Sequence, residues 1–473
     1  MKKWIRGILF VCAAVLVMAR AYRILSWKDT AGNYQSSLEQ LYNTGNDLMD
    51  VVFVGSSHVY CDINPSILWR DYGIAGFDMA VSGQDKDTAW HNLLEVLKTQ
   101  SPKVVCVDLY ALTYEKTAIQ GNVYRATLSM DLSFNAVELI LKEVENREEW
   151  ADYILRWPII HTRYRELERY DFQQYELSVF GRGQTFDWTI GWGAQISEEC
   201  LNDTTVGELG EKNLEWLENL AALSEEKNFE LILFIAPYYY ESDCREIYNA
   251  AKQYAARNGI EVLDFNELAE EISLDFNRDY IDGAHCNSYG AEKVTAYFGQ
   301  WLNEYMELTD HRGDSAYFLW EKDLEYYEQY AQEAILAEAV SVSMEDYVQS
   351  ILKGNNLTCI ITLNGDYMAY SDDIGPVMET LGMNLQDYPD GGKWLYADGQ
   401  LQFIMDNNST DAFIYDLDGM YILRMENLSV KEGADAFEDI QIDETAQETI
   451  YNGIGFIVYN TCLHRVISRI GYN

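Results

Sequence analysis

Short, uninterrupted apolar runs alternate with amphipathic stretches from residue 50 to about residue 305. Runs that are apolar throughout are typical of strands buried on both faces, as in a parallel sheet. The runs predict strands at 51–54, 76–81, 103–109, 230–236 and 260–264. The stretches between them predict helices at 65–72, 86–99, 208–226, 243–257 and 288–305. This order predicts an α/β fold, with a parallel sheet inside a three-layer α/β/α sandwich.

One long segment interrupts this alternation. Residues 113–205 are rich in Tyr, Trp, Arg and Glu and show a helical pattern without clear strands. The segment follows the third strand, so it leaves the carboxyl edge of the sheet, where α/β folds bind their ligands. We therefore expect a helical insertion in an α/β domain at 48–308. It is either a substrate platform or lid, or a structural elaboration that packs on the sheet.

The remaining segments differ from the α/β region in composition and in the pattern of apolar residues. Residues 309–341 are charged and helical and predict a linker. Residues 342–473 contain short apolar runs separated by Asn364-Gly365, Asp398-Gly399 and Asp418-Gly419. Such dipeptides favour hairpins or tight turns. This region therefore predicts a second domain, smaller and β-rich, of the α+β class.

The N-terminus has the charge pattern of an export signal. Lys2, Lys3 and Arg6 precede an apolar run at 8–19, and Arg20 and Arg23 follow it. The apolar core is shorter than the ~20 residues that a spanning helix needs. Snorkelling arginines restore that length between residues 4 and 27. We expect a signal anchor at 1–28, a stalk at 29–47 and extracellular domains on a single-pass cell-membrane protein. The alternative is secretion after cleavage.

Charge and cysteine usage exclude several classes of function. The formal net charge is −43, from 34 Lys+Arg and 77 Asp+Glu. Such a surface repels phosphate backbones, so we expect no nucleic-acid partner. The eight cysteines show no zinc spacing and no regular disulfide framework. We expect no metal and no cofactor.

The first candidate site residues follow the first strand, in the run Gly55-Ser56-Ser57-His58. A serine in a glycine-containing turn after a buried strand lies exposed at the sheet edge. Backbone amides at the start of the next helix could there stabilise an oxyanion. Alone, Gly-Ser-Ser is more often an ordinary turn or helix cap.

A second motif lies near the end of the α/β region, where Asp282 precedes His285 by three residues. An aspartate so placed can accept the imidazole Nδ1–H and leave Nε2 free to deprotonate a serine. The structural alternative is a helix N-cap for Asp282 and a surface position for His285. Together the motifs predict a catalytic triad of Ser57, His285 and Asp282.

These two motifs resemble blocks I and V of the SGNH/GDSL hydrolase superfamily, over about residues 48–308. Ser57 takes the place of the family's nucleophile. The Gly-Ser-Ser form is similar to the membrane-anchored protein of teichoic-acid D-alanylation and to relatives of the alginate O-acetyltransferases. The run Ala80-Val81-Ser82-Gly83-Gln84 resembles block II. The resemblance implies an oxyanion hole made by the amides of Ser57 and Gly83.

The third family block departs from the pattern. An asparagine is expected after the third strand, but the run 107–111 is Val-Asp-Leu-Tyr-Ala. Either Tyr110, another side chain or the backbone alone completes the oxyanion hole. His58 is too close to Ser57 to be its base, and we expect it to line the pocket with Tyr110 and Asn287. His91 is expected at the surface of the following helix.

Residues 342–473 resemble the interleukin-like EMT inducer (ILEI/PANDER) fold, on the runs 359–366, 377–383, 453–460 and 465–473. This implies a non-catalytic module, which in the stem domain of an O-mannosyl-glycan glycosyltransferase binds carbohydrate. Trp394 and Tyr396 could stack on sugars, but such residues are more often core.

The sequence thus predicts an extracytoplasmic serine esterase or O-acyltransferase acting on acylated cell-envelope glycans. The rival prediction is a weakly active or inactive SGNH scaffold that binds surface glycans through its C-terminal module. Partners in envelope-polysaccharide assembly are a further possibility.

Overall fold

The computed structural model describes residues 2–26, 34–113, 120–167, 181–427, 439–443, 445–447 and 452–472. Contacts divide the chain into two compact units, residues 1–324 and 325–473. The predicted stalk falls partly outside the described residues, at 29–33, and so does the predicted insertion, at 114–119 and 168–180. The segment boundaries expected from the sequence at 28, 47, 308 and 341 stay predictions.

The first unit is built on a parallel five-stranded sheet with the order β2-β1-β3-β4-β5. Every residue of β1, β2 and β3 is buried, so helices must cover both faces. The predicted three-layer α/β fold is therefore confirmed. The strands of this unit are β1 Val51–Gly55, β2 Gly76–Ala80, β3 Val104–Asp108, β4 Glu230–Ile235, β5 Glu261–Asp264, β6 Tyr280–Asp282 and β7 His285–Cys286.

The helices of this unit fall between the strands, as the sequence pattern indicates. They are α1 Lys2–Leu25, α2 Tyr34–Asn43, α3 Ser57–Asp62, α4 Pro65–Tyr72, α5 Lys86–Val96, α6 Gln120–Leu128, α7 Phe134–Glu143, α8 Trp150–Leu155, α9 Trp157–Ile160, α10 Glu198–Leu201, α11 Gly210–Lys227, α12 Ser242–Asn258 and α13 Ser288–Tyr305. Short 3₁₀ turns occupy Leu109–Leu112, Arg147–Glu149, His161–Arg165 and Ser315–Tyr317. Helix α5 ends three residues before its predicted end at residue 99, because the amides of Lys98 and Thr99 bond to carbonyls three residues back and tighten the last turn.

The helix α1 extends away from the sheet. Its span Trp4–Leu25 is long and apolar enough to cross a membrane, and none of it is buried inside the unit. Such a helix is compatible with a signal anchor or with a signal peptide.

The insertion returns along the free edge of β2. The Arg182 carbonyl accepts the Asp78 amide at 2.8 Å, and the Tyr60 carbonyl accepts the Thr185 amide at 2.8 Å. The buried Arg182 guanidinium pairs with Asp323 and lies 5.5 Å from the Trp320 ring. This segment therefore covers an otherwise open sheet edge and fixes the end of the insertion to the sheet.

The second unit is a mixed α+β module, as predicted. Its five-stranded antiparallel sheet has the order β10-β9-β8-β15-β16, and a second sheet has the order β11-β12-β13-β14. The strands are β8 Leu357–Asn364, β9 Gly392–Ala397, β10 Gln400–Met405, β11 Phe413–Asp416, β12 Ile422–Met425, β13 Ile440–Ile442, β14 Thr445–Ala446, β15 Gly453–Asn460 and β16 Arg465–Tyr472. The helices are α14 Phe318–Val342, which contains the unit boundary, α15 Met344–Lys353 and α16 Ser371–Thr380, with 3₁₀ turns at Tyr367–Tyr370 and Leu385–Asp387.

The two faces of the larger sheet pack against different partners. Ile361 and Phe456 pack into one core with residues of α15 and α16, whereas Ile360 and Ile457 pack with residues of β12 and β13. Asp398-Gly399 joins β9 to β10, and both residues have positive φ, as a tight hairpin turn requires. Asn364-Gly365 ends β8 but leads into a helix instead of a hairpin.

The turn between β1 and α3 leaves no room for a side chain at Gly55. A Cβ there would lie 2.5 Å from Val59 Cγ2 and 2.7 Å from Asp108 Cβ. The Gly55 carbonyl also accepts the Val81 amide at 3.3 Å. The glycine thus allows α3 and the end of β3 to approach one another closely.

Gly55→Ala is expected to destabilise the first unit by about 1–3 kcal/mol, because both blocking atoms belong to packed side chains. Thermal melts followed by circular dichroism should show a transition several degrees lower than in the parent chain. The matched control is Gly375→Ala in α16, where no atom lies within 4 Å of the added methyl. Equal melting of Gly55→Ala and the parent chain would contradict this packing.

Candidate active site

The small hairpin of β6 and β7 holds the predicted aspartate and histidine on adjacent strands. His285 Nδ1 lies 2.9 Å from Asp282 Oδ1 and 3.1 Å from Asp282 Oδ2. The Ala284 and His285 amides also donate to Asp282 Oδ1, at 2.9 and 3.1 Å. These bonds fix the carboxylate and orient the imidazole, which then holds its proton on Nδ1.

The other ring nitrogen faces the serine. Ser57 Oγ lies 2.8 Å from His285 Nε2, although the two residues are 228 positions apart in the chain. Ser57 is the first residue of α3, directly after β1, and the neighbouring Ser56 is the helix N-cap. The structure therefore brings the three predicted residues into one Ser–His–Asp arrangement. In this geometry the histidine can accept the serine proton.

A buried carboxylate joins the two parts of this arrangement. Asp62, the last residue of α3, accepts the Cys286 amide on its Oδ1 at 2.8 Å. Its side chain is fully buried, and this burial raises the pKa of Asp62 to about 7. The bond ties the strand that carries His285 to the helix that carries Ser57.

His58 is buried among the aromatic rings next to the triad. It is only 2 % exposed, and its ring lies 4.6 Å from the Tyr110 ring, 4.4 Å from the Tyr238 ring and 5.7 Å from the His285 ring. His58 and Tyr110 thus lie next to His285, and their place in a pocket lining stays a prediction.

Asp108 is the last residue of β3, and no asparagine follows it in the run 109–111. Asp108 Oδ1 accepts the Tyr110 amide at 3.1 Å, and its Oδ2 accepts the Ser56 hydroxyl at 3.4 Å. Asp108 Oδ2 also lies 3.5 Å from His58 Nδ1. A carboxylate with these partners supports the turn and cannot donate to an oxyanion.

Gly83 lies in a turn after β2. Its φ of +61° is a left-handed conformation that glycine adopts without strain, and the Gln84 amide closes the turn on the Val81 carbonyl. Within the described part of the chain, the Gly83 amide donates to no protein acceptor. Its amide is therefore available to a ligand, and its place in an oxyanion hole stays a prediction.

One expectation about polar residues is wrong. His91 is not at the surface: it is 1 % exposed, with Nδ1 2.7 Å from Asn135 Oδ1 on the insertion. Asn287 is also buried: its Oδ1 caps α13 by accepting the Tyr289 and Gly290 amides, and its Nδ2 donates to the Thr189 and Arg278 carbonyls. A place for Asn287 in a pocket lining stays a prediction.

The two histidines of the site have opposite pKa shifts. Burial lowers the pKa of His285, and the nearby His58 lowers it further against the opposing Asp282 carboxylate. Burial alone would lower the pKa of His58, but the charges of Asp108, Asp62 and Asp282 raise it above its ordinary value. Burial would likewise raise the pKa of Asp282, but the Ala284 amide and the His285 imidazole lower it. These surroundings therefore shift His285 towards its neutral form and His58 towards its charged form.

Trp192 is a candidate site residue that the sequence reasoning missed. It is 64 % exposed, and its ring atoms would lie 3.5 Å from a Cβ at Gly283, between Asp282 and His285. The Gly191 amide fixes this segment by donating to the Tyr280 carbonyl at 2.8 Å. Only the high Trp content of the insertion hinted at an aromatic residue here.

No group of three or more His, Cys, Asp or Glu side chains suited to a metal ion occurs in the part of the chain that the structure describes. All eight cysteines are free thiols, including Cys61 and Cys286, which are buried next to the site.

Two solved structures resemble part of this chain. One is a Desulfitobacterium hafniense DCB-2 protein described as lipolytic and of the G-D-S-L family, 12% identical, with a match covering 53% of this chain and 97% of that one at a TM-score of 0.28. The other is a Bacteroides fragilis NCTC 9343 protein described as an acylhydrolase, 13% identical, with a match covering 59% of this chain and 99% of that one at a TM-score of 0.29. No protein-family model matches the sequence, and no curated protein matches it. The chemistry of the site is therefore inferred from its own geometry.

Substituting His58 tests the electrostatic coupling between the two histidines. Because a charged His58 lowers the pKa of His285, His58→Asn should raise that pKa. The base is active only when neutral, so the acid limb of the kcat/KM profile should move to higher pH. The measurement is p-nitrophenyl acetate hydrolysis by the full chain in detergent between pH 4 and 8, with roughly half-unit steps.

The control for this profile is His161→Asn, an exposed histidine on a 3₁₀ turn of the insertion. Its acid limb should coincide with that of the parent chain. An acid limb for His58→Asn that stays in place would show that His58 does not influence the base.

Proposed function

We propose that the chain is a serine esterase or O-acyltransferase that acts on acylated cell-envelope glycans outside the membrane. The observation that carries this proposal is the 2.8 Å contact between Ser57 Oγ and His285 Nε2, with Asp282 on the opposite side of the ring. A serine, a neutral imidazole and an orienting carboxylate in this order are the groups that acyl transfer needs.

The first half-reaction acylates the serine. Ser57 Oγ adds to the carbonyl carbon of the ester while its proton moves to His285 Nε2, and Asp282 stabilises the resulting imidazolium. The amides of Ser57 and Gly83 receive the oxyanion. When the tetrahedral intermediate collapses, the proton passes to the departing alcohol and an acyl-serine ester remains.

The second half-reaction decides between hydrolysis and transfer. Either water or a sugar hydroxyl gives its proton to His285 Nε2 and attacks the acyl-serine. As the intermediate collapses, this proton passes to the departing Ser57 Oγ, and a free acid or a new ester is released. Trp192 is suited to hold a sugar at this stage, since an exposed indole can stack on the apolar face of a pyranose ring. Its place against Gly283, in the loop between Asp282 and His285, supports this role.

One observation supports a second candidate, a weakly active scaffold that binds surface glycans. The run after β3 has no asparagine, and the carboxylate that ends this strand, Asp108, accepts hydrogen bonds instead of donating one. Loss of an oxyanion donor costs about two to three orders of magnitude in rate. However, the two side chains suggested to bind glycans are not accessible. Trp394 and Tyr396 are only 1 % and 8 % exposed and belong to the core of the second unit.

Substitutions in the triad test the proposed chemistry. Ser57→Ala should abolish p-nitrophenyl acetate hydrolysis by the full chain, and Asp282→Asn should lower kcat by about 10³–10⁴-fold because the imidazole loses its orienting acceptor. Initial rates measured against the uncatalysed reaction check both effects.

Ser56→Ala is the matched control, since the neighbouring hydroxyl bonds to Asp108 and not to the imidazole. It should keep most of the activity. Retention of activity in Ser57→Ala would exclude the proposed nucleophile, and a parent chain with no turnover on acetylated substrates would favour the scaffold.

A further inference from the structure

The insertion contacts the end of the helix α1. The Tyr22 ring lies 6.0 Å from the Trp157 ring in an edge-on arrangement. Arg163 Nη1 donates to the Leu25 carbonyl at 3.3 Å and also to the Ser26 carbonyl. The insertion thus caps the carboxyl end of α1, whose preceding turns lie free of the unit.

The length of α1 determines where this contact would lie relative to a membrane that the helix crosses. The apolar span has 22 residues. At about 1.5 Å per residue it covers ~33 Å, close to the ~30 Å hydrocarbon core of a bilayer. If α1 crosses a membrane, Tyr22 and Trp157 therefore lie at the membrane–water interface, where Tyr and Trp side chains are enriched.

The residues around this contact have the chemistry of an interfacial surface. Leu155 is 64 % exposed and Tyr164 is 58 % exposed, although both are large and apolar. The Arg165 guanidinium lies 5.3 Å from the Tyr164 ring. Pro158, between Leu155 and Tyr164 in the sequence, is also exposed. We name Leu155, Trp157, Pro158, Tyr164 and Arg165 the anchor-side patch.

The local charge also differs from that of the whole chain. Arg20 and Arg23 on α1 and Arg163 and Arg165 on the insertion bring four cations to the segments that meet here, together with the exposed carboxylates of Asp152 and Glu166. Cations are thus in excess here, in a chain with a formal charge of −43. Cations with exposed apolar and aromatic side chains are the combination that binds anionic lipid surfaces.

We propose that the anchor-side patch rests on the surface of the bilayer that α1 crosses. Leu155 and Tyr164 enter the boundary between headgroups and acyl chains, and Arg165 binds lipid phosphates. This proposal rests on the membrane location in the proposed function but not on its chemistry.

Photocrosslinking tests the contact in the full chain. p-Benzoylphenylalanine replaces Leu155 or Tyr164 in a Ser57→Ala background, and the protein is reconstituted into vesicles of phosphatidylethanolamine and phosphatidylglycerol. After irradiation, mass spectrometry measures the fraction of protein that carries a lipid adduct. Both positions should carry several-fold more adduct than the control position Tyr305.

Tyr305 is a matched control because it is 61 % exposed and ends α13, which begins beside His285 and runs to the opposite edge of the sheet. Val11, 59 % exposed in α1, is the positive position. Adducts at Val11 with only control levels at Leu155 and Tyr164 would overturn the patch and leave the anchor intact. Absence of adducts at Val11 would overturn both, and neither outcome depends on esterase activity, which Ser57→Ala removes.

Discussion

The site depends on one buried hydrogen bond, from the Cys286 amide to the Asp62 carboxylate. Ser57 and His285 belong to elements separated by 228 residues, and each is positioned by its own local structure. Asp62 and Cys286 join these two elements directly beside the triad, since one ends the helix that Ser57 begins and the other follows His285. A fully buried carboxylate is costly, and its raised pKa reflects that cost. In return, the bond helps to fix the distance between Ser57 and His285.

Much of the first unit could be predicted because its strands are buried on both faces. A continuous apolar run such as Val51–Gly55 is too short for a helix and is rich in the β-branched residue valine, so it favours a buried parallel strand. Carboxyl ends of parallel strands meet at one edge, so Ser57 after β1 had to lie near residues that follow the later strands. The Asp282–His285 spacing is local, and its geometry follows from a single short hairpin.

The surroundings of the triad could not be predicted, because they depend on partners that are distant in sequence. Nothing near His91 indicates that Asn135 of the insertion would cover it, and nothing near Asn287 indicates that the Thr189 carbonyl would take its amide. The pairing of His58 with Asp108 arises only when β1 and β3 lie side by side. The sequence shows that no asparagine follows β3, but it does not show which contacts Asp108 makes there. The carboxylate supports the turn at Ser56 and gives His58 a counter-charge.

The central claim is that Ser57 is the nucleophile that forms an acyl-enzyme. A fluorophosphonate probe reacts with an activated serine, and peptide mass spectrometry then locates the adduct. The full chain should carry one adduct, on the peptide that contains Ser57, and His285→Ala should lose it because the serine is no longer deprotonated. An adduct on a different residue, or an adduct that persists in Ser57→Ala, would contradict this account of the site.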